Sequence, residues 1–486
     1  MIFKNIHHKA WLELFFLCGL VFLFRLYATV PVENSGDSFV KWFETKRLFY
    51  GLEYSRLDHH TMRWSINFLT LLCQKIFGAK PSTYYLPSAF AATMAAFFIY
   101  RIGIILYGRP LGIMALLLFS LHPVIIQAGS QLFPGIFSMS YVLGSVYFLL
   151  VYQGKKKSYY LILSAIFLFL AYGAKLTNLF FLPGILIYLY WSTKKIGPIL
   201  TYLTILLVGF ILETIIIDGL LGNFSLLGRL ALTSGHLNIM QTGLEGEKTL
   251  WGILTRWQML PSYMYLHTMT GFFAAFYFVT QRKKYSKDSL LALSFLSFAF
   301  GISFGLCSLH PVHFLLPHMP RYLNITIPFT LLLTLSLAGK INEKKYIILT
   351  FLLLALPLPS ALANLIHSPL HRQFYKINDF QKKVMMNLQR GYGYIFFNEK
   401  NARLYRAMFI DDDLSLGLHG KDVIKIYIIQ PGRTSYNPTS FLYLLTLQQD
   451  KITQGIIRPY PHQYLLKIED FKQQIFSLNP QWGILW

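Results

Sequence analysis

The chain has 486 residues, of which 54% are hydrophobic and only 13% are charged. Soluble domains are typically about 25% charged, so this composition excludes an ordinary soluble enzyme. The net charge of +23 would suggest nucleic acid in a soluble protein, but no basic stripe lies on a soluble motif, and we predict membrane lipids as the surroundings instead. Three scattered cysteines (Cys18, Cys73 and Cys307) exclude a disulfide framework or a cysteine-rich metal site.

Apolar runs long enough to cross ~30 Å of hydrocarbon as helices recur along the first three quarters of the chain. Lys4 and Lys9 precede the first run, as in a signal peptide, but we favour a retained helix because the loop after it carries the best candidate chemistry. We predict about eleven transmembrane helices, over residues 10–30, 84–106, 110–127, 134–152, 158–174, 177–192, 197–217, 257–280, 289–309, 321–339 and 345–364.

The basic residues lie in alternate turns between these runs, as the positive-inside rule expects of cytoplasmic turns. The basic turns hold Arg109; Lys155, Lys156 and Lys157; Lys194 and Lys195; Arg282, Lys283, Lys284 and Lys287; and Lys340, Lys344 and Lys345. The pattern predicts a cytoplasmic N-terminus and places the segment after the last run outside. Short loops and the lack of disulfides favour a bacterial inner membrane.

Two outside loops are long, over residues 31–83 and 218–256, and the stretch MRWSINFLTLLCQKIFG in the first predicts an interfacial amphipathic helix. After Ser368 polar residues return, and YGYIFF, DVIKIYII and QYLLKI predict short strands. The predicted fold is an all-α polytopic membrane domain over residues 1–365, followed by a small periplasmic α/β domain over 366–486.

The first outside loop carries Asp37 and the sequence Asp58-His59-His60. A carboxylate at the membrane interface can take the proton from an acceptor hydroxyl, and partial burial raises its pKa toward a useful range. A structural alternative stays open, because GDS is turn-like and Asp37 then serves as a turn or helix-cap residue. Adjacent histidines point in different directions, so metal binding is disfavoured.

A second constellation, LHPVHFLLPHMPRY, is predicted at an outside turn; its polar residues include His310, His313, His318 and Arg321. Arg321 breaks the charge trend and suits a phosphate, whose oxygens match its planar fork; a snorkelling arginine is the alternative. Lys175 and Arg25 also lie on the predicted outer side, where each either meets an anionic group or snorkels. His122 lies in another outside turn.

Several stretches together resemble one family. GDSFVKWFETKRLFYG with Asp37, LDHHTMRWSINFL, the LHP turn at 121–123, AYGAKLTNLFFLPG and PRYLNITIPFTLLL are similar to landmarks of the GT-C superfamily of polyprenyl-phosphate-dependent glycosyltransferases. The likeness is greatest to bacterial relatives of dolichyl-phosphate-mannose protein mannosyltransferases and of lipid A aminoarabinose transferase, and it covers about residues 1–340. Many relatives have an acid in the turn before the fourth span, where this chain reads SQLFPGIFS. If a second acid is required, Asp58 is the candidate; the alternative is that this chain works differently.

The resemblance implies inverting transfer of a hexosyl or pentosyl group from a polyprenyl-phosphate donor to a lipid, glycan or protein acceptor. Asp37 would be the general base, and Asp58 would assist. Arg321 and Lys175 would bind the donor phosphate. The substrate-positioning candidates are His59, His60, His318 and Tyr322. No metal is strictly required for such a transfer, although some relatives use a divalent cation.

Two other classes of protein compete with a transferase. A transporter or flippase of lipid-linked substrates often shows paired repeats and polar groups at midplane, whereas this chain has no repeat and concentrates its polar groups on one face. A non-enzymatic envelope assembly protein, acting through its C-terminal domain, is the second alternative.

Overall fold

The computed structural model describes residues 2–27, 37–51, 60–221, 257, 260, 262–284, 286–309, 312–314, 323–340, 344–360, 363, 393–396, 427–428 and 442–445. Contacts divide the chain into two compact units. The first comprises Met1–Thr29, Arg56–Leu69 and Tyr85–Leu365, and the second comprises Val30–Ser55, Thr70–Tyr84 and Ile366–Trp486.

The described residues are mainly helical. The helices are α1 (Ile2–Tyr27), α2 (Asp37–Phe49), α3 (Trp64–Phe77), α4 (Leu86–Tyr107), α5 (Arg109–Leu121), α6 (Pro123–Ala128), α7 (Pro134–Lys155), α8 (Ser158–Ala174), α9 (Leu182–Thr193), α10 (Gly197–Leu221), α11 (Ser262–Thr280), α12 (Ser286–Phe304), α13 (Ile327–Lys340) and α14 (Lys344–Ala355). Short 3₁₀ turns cover Pro81–Tyr85, Leu176–Phe181 and Asn324–Thr326.

Each predicted apolar run overlaps at least one of these helices, and the run 110–127 overlaps both α5 and α6. In the described part of the chain, five helical segments are long and apolar enough to span a membrane: Thr83–Tyr107, Pro134–Lys155, Leu176–Thr193, Gly197–Ile216 and Ser286–Phe304. The larger number of spans therefore stays a prediction. The helix starts follow local rules, since prolines occupy early positions where no helical N–H is needed. These are Pro87, Pro110, Pro123, Pro134 and Pro183.

The first unit is held together by close helix contacts and buried hydroxyl groups. α4 and α5 approach at two glycines: a Cβ on Gly103 would lie 2.7 Å from the Gly112 Cα. Farther along the chain, the Ser145 hydroxyl lies 3.1 Å from those of both Ser164 and Tyr202, joining α7, α8 and α10. Small residues and shared hydroxyls are the usual means of packing helices in lipid, where the hydrophobic effect does not drive helix against helix.

The predicted interfacial helix is confirmed as a helix by α3. Its buried face includes Ile66, Cys73 and Gln74, whereas Phe68 and Ile76 are exposed on the opposite side. An apolar exposed face is suited to a membrane interface, and that location remains a prediction.

The strands differ partly from expectation. α12 ends at Phe304, before the predicted end of its run, and the chain continues as β1 (Leu306–Leu309), which pairs antiparallel with β2 (Val312–Phe314). In the second unit, β3 (Gly393–Phe396) pairs parallel with β4 (Tyr427–Ile428) and antiparallel with β5 (Leu442–Leu445). Thus β3 and β4 lie within the first two predicted strands, QYLLKI lies outside the described residues, and β5 was not predicted.

Candidate functional site

Arg25, in the last turn of α1, is the most unusual buried side chain of the first unit. It is only 1% exposed, and its Nη2 donates a hydrogen bond to the Ser120 carbonyl oxygen at 2.9 Å. Its Nε and Nη1 have no hydrogen-bond partner within the described part of the chain. The aliphatic stem passes close to Gly129, where a Cβ would lie 3.4 Å from the Arg25 Cδ and 3.3 Å from the Ala92 Cβ.

A pair of buried histidines, His122 and His267, lies next to the end of α5 that binds Arg25. His122, two residues after the carbonyl that holds Arg25, directly precedes α6, and its Nε2 is 3.3 Å from the Nε2 of His267 on α11. The Nδ1 of His267 is in turn 2.8 Å from the Thr330 hydroxyl in the first turn of α13. Three helices that are distant in sequence are thereby joined by one hydrogen-bonded chain.

The proton positions in this chain follow from its last member. The Thr330 hydroxyl lies 3.2 Å from the Thr326 carbonyl and 3.0 Å from the Ile327 carbonyl, both of which can only accept. When the single hydroxyl proton is donated to one of these carbonyls, the oxygen accepts from His267 Nδ1–H. His267 Nε2 is then the acceptor, and His122 Nε2–H is the donor.

These residues, Arg25, Ser120, His122, His267 and Thr330, form what we call the Arg25 cluster. It lies where α1 and α5 end and where α11 and α13 begin. No carboxylate among the described residues pairs with Arg25, and in the same part of the chain no three His, Cys, Asp and Glu side chains come together as metal ligands would. The cluster thus offers unused cationic hydrogen-bond donors, which suit an anion.

Lys175, one of the predicted phosphate ligands, is half-buried at the end of α8. Its backbone N–H donates to the Ala171 carbonyl at 3.0 Å, and its own carbonyl accepts from the Asn178 N–H at 3.0 Å. The Asn178 side chain also donates to Ala171 and to the Ser138 hydroxyl. The bend carrying Lys175 is therefore fixed by buried hydrogen bonds, while its phosphate-binding role remains a prediction.

His60, a predicted positioning residue, is buried in the turn before α3. The Asn67 side chain donates to the carbonyl oxygens of His60, at 3.4 Å, and of Thr61, at 2.9 Å. These bonds tie the turn to the first turns of α3. His60 is thus held in place, and its role toward a substrate stays a prediction.

Asp37 is the first residue of α2, in the second unit. Within that unit Gln74 of α3 donates to the Thr45 hydroxyl at 3.2 Å, and Lys75 donates to the Phe49 carbonyl at 2.7 Å. An acid at the start of a helix is favoured by the helix dipole, so the structural alternative for Asp37 fits its position. The role as general base is not tested by this placement.

The other predicted site residues lie outside the described residues. They are Asp58, His59, His318, Arg321 and Tyr322. Their predicted roles as catalytic, phosphate-binding and positioning residues stay predictions.

Sequence analysis singled out Arg25 and His122 but missed His267 and Thr330. The signal for His267 was present, because an ionisable residue inside an apolar run is expensive in lipid and marks a functional site by default. For Arg25 the structure removes one alternative: a snorkelling head group would be exposed, whereas this guanidinium is buried.

Comparison with known proteins agrees with the resemblance. Residues 64–217, less than half of the chain, match the model of a family described as dolichyl-phosphate-mannose-protein mannosyltransferase. This match confirms the resemblance to polyprenyl-phosphate-dependent GT-C glycosyltransferases, and with the apolar helices it identifies a multi-pass membrane protein. No curated protein sequence matches the chain.

Three solved structures are similar at low identity. ArnT from Cupriavidus metallidurans bound to undecaprenyl phosphate has a TM-score of 0.48 and 11% identity, covering 84% of this chain and 76% of that one. The Archaeoglobus fulgidus oligosaccharyltransferase with zinc and sulfate has a TM-score of 0.43 and 10% identity over 81% and 61%. AglB from Archaeoglobus fulgidus with an inhibitory peptide and dolichol-phosphate has a TM-score of 0.46 and 10% identity over 82% and 64%.

This chain thus spans less than two thirds of both oligosaccharyltransferases. All three TM-scores fall below 0.5, so these likenesses assign no residue of this chain a role.

Proposed function

We propose that this chain is a membrane glycosyltransferase that moves a sugar from a polyprenyl-phosphate donor to a hydroxyl group of a lipid, glycan or protein acceptor. The observation that carries the proposal is the match of residues 64–217 to a mannosyltransferase family. The matched stretch includes Ser120 and His122, two members of the Arg25 cluster. A buried cationic cluster is suited to a donor that carries a phosphate.

The reaction is an inverting substitution at the anomeric carbon. The acceptor oxygen forms a bond to that carbon, while the bond from the carbon to the phosphate oxygen breaks. The acceptor proton passes to a carboxylate, which we assign to Asp37 with Asp58 as the second acid. Negative charge grows on the departing polyprenyl phosphate, and Arg321 and Lys175 stabilise it.

The proposed location is the outer face of a bacterial inner membrane. The turns with Arg109, Lys155–Lys157 and Arg282–Lys284 are basic and exposed, as expected of the cytoplasmic side. Ser120 and His267 of the Arg25 cluster lie toward the opposite ends of α5, which begins at Arg109, and of α11, which ends just before Arg282. This arrangement supports transfer to an acceptor outside the cytoplasm.

The test compares glycans in cells that lack this protein and in cells complemented with wild type, Asp37→Asn, Asp58→Asn or Arg321→Ala. Mass spectrometry of lipid A, polysaccharide and envelope proteins gives the readout, and Arg282→Ala, at an exposed cytoplasmic-side arginine, is the control. We expect one sugar to vanish in the deletion, to return with wild type and the control, and to stay absent with Asp37→Asn and Arg321→Ala at normal protein levels.

Two outcomes would count against the proposal. A deletion that changes no glycan overturns the transferase and favours a transporter or an assembly protein. Full rescue by Asp37→Asn leaves a transferase but removes its proposed general base.

A further inference from the structure

We propose that Arg25 is the centre of a buried binding site for a phosphate group, and that the ligand is the phosphate of the lipid-linked donor. The inference rests on the proposed function for the identity of the ligand. The site itself is inferred from the structure. Arg25 lies on α1 and is distant in sequence from the predicted phosphate ligands Arg321 and Lys175.

The buried guanidinium of Arg25 has no counter-charge among the described residues. A buried cation is unfavourable unless an anion or a full set of hydrogen bonds compensates it. Arg25 is 1% exposed, one of its nitrogens bonds to the Ser120 carbonyl, and no carboxylate in the described part of the chain pairs with it. An anionic ligand would supply what the protein does not.

The unused donors of Arg25 have a defined direction. The bond to Ser120 fixes one nitrogen of the planar guanidinium, and the stem passes close to Gly129, where an added Cβ would lie 3.4 Å from the Arg25 Cδ. The planar group thereby orients Nε and Nη1, neither of which has a hydrogen-bond partner among the described residues. A rigid group with several free N–H donors recognises the tetrahedral oxygens of phosphate better than an ammonium group does.

The surroundings of Arg25 are buried and held together by hydrogen bonds between helices. Burial of the cluster excludes water, and exclusion of water strengthens the attraction between a guanidinium and a phosphate. The chain from His122 through His267 to Thr330 holds the adjacent helix ends together. The site is therefore built across four helices and does not depend on a flexible loop.

The experiment measures ligand binding to the purified full-length protein in nanodiscs of uncharged lipid. The probes are undecaprenyl phosphate, inorganic phosphate and phosphatidylglycerol, which separate a lipid-linked donor phosphate from a free anion and from an ordinary lipid headgroup. Wild type is compared with Arg25→Met, Arg25→Lys and the control Arg109→Met, whose side chain is 68% exposed beside Glu13 at the other end of the helices.

We expect undecaprenyl phosphate to bind to wild type and to the control equally, and to bind to Arg25→Met on the order of 100-fold more weakly. Arg25→Lys keeps the charge but loses the planar fork, so its affinity should be intermediate. Thermal unfolding without ligand verifies that each variant is folded, and Arg25→Lys provides the test if Arg25→Met does not fold.

Undiminished binding to both folded variants would overturn the site. Equal binding of phosphatidylglycerol in wild type would overturn its assignment to the donor and leave an ordinary lipid contact. If the site is correct but the proposed function is wrong, undecaprenyl phosphate still binds through Arg25, and the deletion strain lacks no sugar.

Discussion

Two clusters that each contain a buried charge include residues of α13, and their charges are compensated differently. Near the N-terminal end of α13, Thr330 belongs to the Arg25 cluster, in which two nitrogens of Arg25 have no hydrogen-bond partner among the described residues. Near the C-terminal end of that helix, Asp288, 2% exposed, accepts a hydrogen bond from the Ser336 hydroxyl and lies 4.0 Å from the Lys340 Nζ. Lys340 also donates to the Leu106 carbonyl at 3.1 Å.

The difference separates a structural charge from a functional one. Thr330 and Lys340 are roughly 15 Å apart along a helix that rises 1.5 Å per residue, so the two clusters are parts of one helix bundle. The Asp288 end satisfies its buried charge with its own residues. In the Arg25 cluster, two nitrogens of the buried guanidinium have no hydrogen-bond partner among the described residues. Unsatisfied groups of this kind concentrate at functional sites, where stability is given up for binding.

The largest expected effect is on stability, from Asp288→Leu. The change leaves Lys340 without its carboxylate and the Ser336 hydroxyl without its acceptor, and we expect a loss of about 2 kcal/mol in the free energy of unfolding. Arg25→Met should leave that free energy unchanged or raise it, because it removes an uncompensated charge. Thermal unfolding in nanodiscs measures both.

The comparison fails if Arg25→Met costs as much stability as Asp288→Leu, since Arg25 would then be a structural group. Asp288→Asn serves as the milder control, because the amide oxygen still accepts from Ser336.

A smaller effect is expected from Thr330→Val, which tests the chain of bonds beside Arg25. Valine has nearly the same shape but no hydroxyl, so His267 Nδ1–H loses its acceptor at a cost of about 1–2 kcal/mol. The matched control is Thr334→Val, one turn farther along α13. Its partner Thr270, 3.0 Å away, keeps the Leu266 carbonyl as an acceptor at 2.8 Å.

We therefore expect Thr330→Val to lower both the unfolding temperature and the glycan transfer, and Thr334→Val to lower neither by as much. Equal losses in the two variants would mean that the His267 contact has no special weight.

The helices could be predicted from the sequence because lipid imposes a strong pattern: a spanning segment must be long, apolar and helical. Each predicted apolar run accordingly overlaps a helix. Strands of the second unit carry a weaker signal, and β5, in the apolar and aromatic stretch FLYLL, was missed although its composition is typical of a strand.

Part of the candidate site could also be predicted from the sequence. Arg25 was singled out because it breaks the charge rule, and His122 because it lies in an outside turn. The contact between His122 and His267 joins residues 145 positions apart, and neither periodicity nor charge alternation encodes such a pairing. Burial without a partner, the property that distinguishes Arg25, depends on all the surrounding helices and cannot be deduced from one segment.

The smallest expected effect comes from a change at Gly129, beside the stem of Arg25. A Cβ there would lie 3.0 Å from the Ile125 carbonyl oxygen, besides its contacts with Ala92 and the Arg25 stem, so Gly129→Ala must displace a neighbour by a few tenths of an ångström at a cost of about 1 kcal/mol. The control is Gly135→Ala, where no atom lies within 4 Å and alanine favours the helix. Because the added methyl group would also touch the Arg25 stem, Gly129→Ala should weaken the binding of undecaprenyl phosphate more than it lowers the unfolding temperature, whereas Gly135→Ala should alter neither adversely. A Gly129→Ala protein with unchanged affinity would show that the position of the guanidinium does not depend on this contact, and that the bond to Ser120 alone orients its donors.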